Sequence, residues 1–258
     1  MKKLLISLTL AVASICWISP AKKTPAIYQL TVFHYKDSVQ EHTLDAYLEQ
    51  ALIPALHRLK YSKVGVFKSW TNDTSALKKI YVLVAGKSVD ELNGVKDKLA
   101  KDAVYLDKGK MYLDAVYTSA PYYRMETIYL KAFSMAPELT VPSLKGPKSE
   151  RVYELRSYES ATEKIFRNKV HMFNEGGEIA LFKHLNFNAA FYSEVIAGSK
   201  MPNLMYMTCF ENMADRDAHW KSFGNDPEWK RLSSLPEYQH NVSAIEKSFL
   251  RPVEYSDY

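Results

Sequence analysis

Two runs dense in aromatic and β-branched residues, Ile27–Tyr35 and Val152–Tyr158, open the two halves of the chain and predict strands. Each is followed by a hydroxyl with a carboxylate three residues on, Ser38-Val-Gln-Glu41 and Ser160-Ala-Thr-Glu163. That spacing predicts a helix start, because the two side chains satisfy amides that a first turn leaves unpaired. Pro54 interrupts the first of these helices and Gly176-Gly177 the second. Further strands follow at Val64–Ser69 and Lys79–Ala85, and at Asn188–Val195 and Leu204–Phe210. A second pair of helices starts at Ser88-Val-Asp-Glu91 and near Asn212-Met-Ala-Asp215. Closing strands are expected near Arg124–Phe133 and Val242–Val253.

The two halves say much the same thing. Tyr28-Gln-Leu30 returns as Tyr153-Glu-Leu155, Ala55-Leu56 as Ala180-Leu181, and Tyr81 as Tyr206, all at an offset of 125. Asp102-Ala-Val-Tyr105 and Asp226-Pro-Glu-Trp229 form another pair, as do Met125–Lys131 and Ile245–Arg251. The order βαββαβ, met twice, is the ferredoxin-like pattern. The expected fold is therefore α+β, two such repeats at 27–133 and 150–255 joined by a stiff, Pro-rich linker at 134–149. A four-stranded sheet of this kind leaves one face bare. Packing two of them face to face covers both and predicts an intramolecular dimeric α/β barrel.

Composition narrows the setting. Apolar residues are 47% and charged residues 24%, which is the balance of a globular chain. Met1-Lys2-Lys3 before an apolar Leu4–Ile18 reads as a signal peptide, residues 1–21, and the run is too short for a permanent membrane span. An exported protein is expected, periplasmic or secreted; lipidation at Cys16 is disfavoured by Ile15 before it. Cys209 is then the only cysteine and suits a buried thiol. Without Lys2 and Lys3 the chain has 32 basic and 29 acidic residues, well interspersed, so no nucleic-acid partner is expected. Two sequons, at Asn72 and Asn241, matter only in a host that glycosylates.

Three segments carry a resemblance. Tyr153-Glu-Leu-Arg-Ser-Tyr158, His219-Trp-Lys-Ser-Phe-Gly-Asn-Asp-Pro-Glu-Trp229 and Ser248-Phe-Leu-Arg-Pro-Val-Glu-Tyr255 together resemble the NIPSNAP family. The likeness is full over Arg151–Tyr255 and partial over Ile27–Phe133, where Thr31 stands in the place of Arg156 and Ala103-Val104 replaces Pro227-Glu228. It implies the dimeric α/β barrel, a fold shared with small monooxygenases and haem-handling enzymes. It implies no particular reaction, substrate or catalytic residue.

Alternation along Val152–Tyr158 puts Tyr153, Leu155 and Ser157 on one face and Glu154, Arg156 and Tyr158 on the other. The second set is expected to face the lumen with Tyr192 and Tyr206. There Arg156 could clamp a ligand carboxylate, or Glu154 and Arg156 could be a structural ion pair. Glu126 and Glu246 hold equivalent places in the closing strands and are a candidate acid–base pair or two surface carboxylates. His171 and Glu175 sit at i, i+4, with no further ligand cluster to make a metal site. Trp220 and Trp229 are expected to anchor a helix, with Asp226 and Pro227 shaping the turn between them. No Gly-rich phosphate loop, nucleophile elbow or CxxC is present, and none of the seven His is singled out for haem, so no cofactor or metal is expected. The expected function is binding of a small ligand or partner between the repeats. A cofactor-independent oxygenase or isomerase is the alternative, and a scaffold with a filled lumen a third reading. A monomeric pseudo-dimer and a homodimer both remain open.

Overall fold

The computed structural model describes residues 23–258, so the expected leader at 1–21 lies outside the described residues. Eight strands form one closed antiparallel barrel in the order β1-β3-β2-β8-β5-β7-β6-β4. They are β1 (Ile27–Tyr35), β2 (Gly65–Ser69), β3 (Lys78–Gly86), β4 (Arg124–Ala132), β5 (Val152–Glu159), β6 (Asn188–Ala197), β7 (Asn203–Phe210) and β8 (Ala244–Pro252). Each half contributes a ferredoxin-like sheet, β4-β1-β3-β2 and β8-β5-β7-β6. The sheets do more than stack: their edges pair, β2 with β8 through Phe67, Lys68 and Ser69, and β4 with β6 across a bulge at Tyr129/Leu130. Closure leaves no unpaired strand at a sheet edge among the described residues.

Helices cover the outside. In the first repeat these are α1 (Ser38–Tyr47), α2 (Ile53–Arg58), α3 (Val89–Asn93), α4 (Val95–Leu99), α5 (Ala103–Lys108) and α6 (Lys110–Leu113). In the second they are α7 (Glu163–Asn174), α8 (Glu178–His184), α9 (Met213–Asn225) and α10 (Pro227–Ser234). A π-helical turn at Leu48–Leu52 carries α1 into α2, so Pro54 widens the helix rather than ending it. Gly177, at φ 98°, does break the second copy. Two helix starts differ from the sequence expectation. Asp37, not Ser38, caps α1, and Thr162, not Ser160, caps α7; Ser160 donates instead to the Asn241 carbonyl. Ser88 and Asn212 cap α3 and α9 as the pattern predicts.

The faces of β5 are the reverse of the expected ones. Tyr153 and Leu155 point into the barrel, packed with Tyr28, Leu30, Phe67 and Leu250 from both sheets. Glu154, Arg156 and Tyr158 lie on the outer face, under α7–α10. Tyr192 and Tyr206 are on that outer face too. Burial explains the inversion: seven of the eight β5 residues are buried, so alternation in this strand carries no contrast between wet and dry sides.

Register corrects the repeat as well. Leu30 pairs with Leu83 and Leu155 with Met207, which sets Tyr81 against Met205 and Val82 against Tyr206. The Tyr81–Tyr206 match of the sequences is thus one residue out, and one residue moves a side chain to the opposite face. Tyr28 and Tyr153, by contrast, are equivalent and belong to the same core at one end of the lumen, which Leu139 and Tyr258 also seal, Tyr258 packing on Tyr153. The segment between the repeats is therefore packed against the barrel end rather than held free of it.

Candidate functional site

In the second repeat, Glu154 is fully buried on β5. It accepts from Arg156 Nε at 2.7 Å, Arg216 Nε at 2.8 Å and Nη2 at 3.0 Å, and Trp220 Nε1 at 2.7 Å. Four donors match the four lone-pair directions of a carboxylate. Burial opposes its charge, but the Arg216 hydrogen bond and the two guanidinium charges outweigh that and hold Glu154 below its usual range. The Arg156 guanidinium lies 3.6 Å from the centre of the Trp220 ring and donates to Tyr158 Oη at 3.0 Å, and Tyr158 and Tyr206 share a hydrogen bond of 2.8 Å. Burial raises the Tyr206 hydroxyl well above its ordinary range, so it stays protonated. Tyr192 stacks on Tyr206. All five residues expected to bind a ligand are thus brought together, Glu154, Arg156, Tyr158 and Tyr206 in one hydrogen-bonded chain with Tyr192 stacked beside it, but none of them lines the lumen-end cavity or the first-repeat cavity. Arg216, which completes the network, carries no recognisable signal in the sequence.

The same place in the first repeat is open. Asp102 and Asp226 cap α5 and α10 and anchor an offset of 124 with Leu83 and Met207. That alignment puts Leu92, Lys96 and Leu99 where Arg216, Trp220 and Phe223 stand, while Gln29 and Thr31 replace Glu154 and Arg156. Loss of so much side chain between sheet and helices leaves a cavity of about 560 Å³, lined by all five of the smaller residues. Its wall is aromatic: Tyr47 stacks on Tyr112 at 3.8 Å and shares a 2.9 Å hydrogen bond with Tyr105. Burial, then the Tyr105 hydroxyl beside it, raises Tyr47 far above the usual phenol range. A polar strip crosses the wall, where the Gln29 amide donates to Thr31 at 3.2 Å and the Tyr129 hydroxyl donates to Asn93, with Gln29 Oε1 3.3 Å away as its second neighbour. Among the described residues lining the cavity there is no carboxylate or imidazole. Thr31 in the place of Arg156 is visible in the sequence; the cavity that results depends also on Leu92, Lys96 and Leu99 from the helices above it.

Elsewhere, His171 Nδ1 bonds Tyr238 Oη at 2.9 Å, and no group of three or more potential metal ligands occurs among the described residues. Trp229 packs 4.4 Å from Phe223, centre to centre, and Asp226 caps the turn into α10. The Cys209 thiol is fully buried and raised by that burial. No helix of the described residues is long and apolar enough to cross a membrane.

A closed eight-stranded ring built from two βαββαβ units, with its helices outside, defines a dimeric α/β barrel contained in one chain. Residues 153–257, its second repeat, match the model of the NIPSNAP family. Solved structures share the whole fold. A provisionally assigned monooxygenase from Lactobacillus acidophilus is 11% identical, with 88% of this chain and 94% of its own covered at a TM-score of 0.56. Another from Fusobacterium nucleatum is 5% identical, covering 90% and 94% at 0.59. An anthrone oxidase-like protein is 9% identical, covering 90% and 93% at 0.51. No curated protein gives a significant match.

Proposed function

We propose that the protein binds a small, largely aromatic molecule in the first-repeat cavity, between the sheet and α3–α6. The observation that carries this reading is the 560 Å³ space lined by tyrosines, at the position that the second repeat fills with an ion-pair network. A volume of this size is ordinary for a drug-sized ligand, and an apolar wall with a few polar groups is the usual composition of such sites. Gln29, Thr31 and Asn93 offer amide and hydroxyl groups that fix the orientation of one polar substituent. This places the ligand beside the barrel rather than between the repeats.

The alternative, a cofactor-independent oxygenase or isomerase, needs a group that takes a proton from the substrate. The raised tyrosine hydroxyls of this cavity are donors, not bases, which leaves the exposed amine of Lys96 as the one side chain among the described lining residues that could take a proton, so binding is the stronger reading. Export belongs to the same proposal and rests on the character of Met1–Ile18 alone. A monomer is the proposed state, since each sheet already has its partner within the chain.

The test is saturable binding of the neutral probe N-phenyl-1-naphthylamine, followed by fluorescence. Wild type is expected to bind one equivalent, and Thr31→Phe, which projects a ring into the cavity beside Gln29, to weaken binding by about tenfold or more. Absence of saturable binding, or equal binding by the variant, would overturn the proposal.

A further inference from the structure

We propose a second ligand site at the open end of the barrel, for a small carboxylate that carries a hydrogen-bond donor on its α carbon. This end is opposite the one sealed by Tyr28, Tyr153 and Tyr258. It holds a cavity of about 130 Å³ with an apolar floor that includes Leu30, Ile128 and Leu155, and hydroxyls from Ser157 and Ser248 above it. Both repeats contribute to the rim, through the equivalent residues Glu126 of β4 and Glu246 of β8.

Four charged side chains and one imidazole stand in this rim, and their pairing leaves two groups available. Lys200 is bonded to Glu246. His34 Nε2 lies 2.6 Å from Glu126 Oε1. An ionised carboxylate only accepts, so Nε2 carries the hydrogen in that contact, and in the neutral ring Nδ1 keeps its lone pair. His34 is 8% exposed, it lines the cavity, and its Nδ1 is buried with no partner among the described residues. A buried acceptor left unpaired is costly, which favours a molecule that donates to it. Lys79 is the direct cross-strand neighbour of His34 in the β1–β3 ladder, also lines the cavity, and has no ion-pair partner among the described residues. Residues so paired have their Cβ atoms about 5 Å apart. One molecule can therefore give its carboxylate to Lys79 and its α-donor to His34 Nδ1, with a short apolar body over Leu30 and Ile128. The small volume limits it to a few carbons.

Hydroxy and amino acids share this chemistry, and glycolate, glycine and acetate separate the possibilities. The imidazole nitrogen shifts of His34 would be followed by NMR in the full chain while each is added. Glycolate or glycine is expected to move the His34 signals and to bind about fivefold or more tightly than acetate, which lacks the donor. Whichever of the two binds more tightly names the class. Lys79→Met is expected to weaken binding about tenfold, and His34→Phe to erase the advantage over acetate. Retained N-phenyl-1-naphthylamine binding and an unchanged melting temperature would show both variants folded, and that probe reports on the first-repeat cavity independently. No shift of His34 up to about 50 mM of any probe, acetate binding as tightly as the others, or Lys79→Met binding as wild type would each overturn the proposal.

Discussion

Thr31 and Arg156 hold the same position in the two repeats, each on the outer face beside the third strand of its sheet, and one leaves room where the other fills it. The difference extends to the helices, where Lys96 stands for Trp220. Trp220 is part of a packed aromatic cluster with Phe182, Phe187 and Phe223, and it also donates to Glu154. Trp220→Ala is therefore expected to cost about 3–5 kcal/mol in urea unfolding. Lys96→Ala, at the equivalent place, is expected to stay within about 0.5 kcal/mol. Equal costs would mean that the two repeats are packed alike and that the first-repeat cavity is closed in solution.

Glu154 should be felt in the acid limb of stability. Its carboxyl is held below the ordinary value of 4.5, despite burial, by Arg216 and Arg156. A depressed folded value means stability that is present above the unfolded pKa and lost as pH falls through the folded one. Wild type is thus expected to lose stability progressively from about pH 5 downward. Glu154→Gln removes this contribution, so its curve should be lower at neutral pH, by about 3 kcal/mol, and flatter below about pH 5. Parallel curves for the two proteins, measured by urea midpoints across that range, would rule the carboxylate out as a source of the acid sensitivity.

Much of the fold was legible because each strand is bounded by turn residues and rich in β-branched and aromatic side chains. What escaped reading was orientation. In β5 both faces are dry, and the charged one turned out to be the helix-covered one, because Glu154 and Arg156 meet Arg216 and Trp220 from α9. No local pattern announces a partner about 60 residues away. The site followed the same logic. Sequence pointed to the residues that are large and charged, whereas the open space belongs to Gln29, Thr31 and Leu92, whose significance is their size relative to a counterpart. Glu126 and Glu246 were paired correctly by the repeat, but His34 and Lys79 become neighbours only through the β1–β3 register.

Tyr258 closes one end of the lumen against Phe67 and Tyr153, with ring centres 5.4 and 6.1 Å away. It is 2% exposed, yet its hydroxyl has no protein partner among the described residues. Ring and hydroxyl should then separate in their effects. Tyr258→Ala is expected to lower stability by about 3 kcal/mol through the space it leaves. Tyr258→Phe keeps the ring and should change it by less than about 1 kcal/mol, in either direction. A large loss from the phenylalanine variant in thermal melts would show that the hydroxyl is bonded after all.

Lys169 and Glu178 form a buried ion pair at 2.8 Å that ties α7 to α8 across the Gly176-Gly177 break. At the 125-residue offset the first repeat has Leu44 and Ile53 in these places, both buried and apolar. The chain thus contains both solutions to the same helix junction. Two charges taken out of water lose hydration that their attraction only partly returns, and removing one partner strands the other. Lys169→Leu alone and Glu178→Ile alone are each expected to cost about 3–5 kcal/mol. The double variant, which copies the first repeat, should recover most of that loss and come within about 1 kcal/mol of wild type. A double-mutant cycle in urea measures the coupling directly. Costs that simply add would show that the pair acts as two separate contacts and that the apolar junction of the first repeat depends on its own π-helical turn.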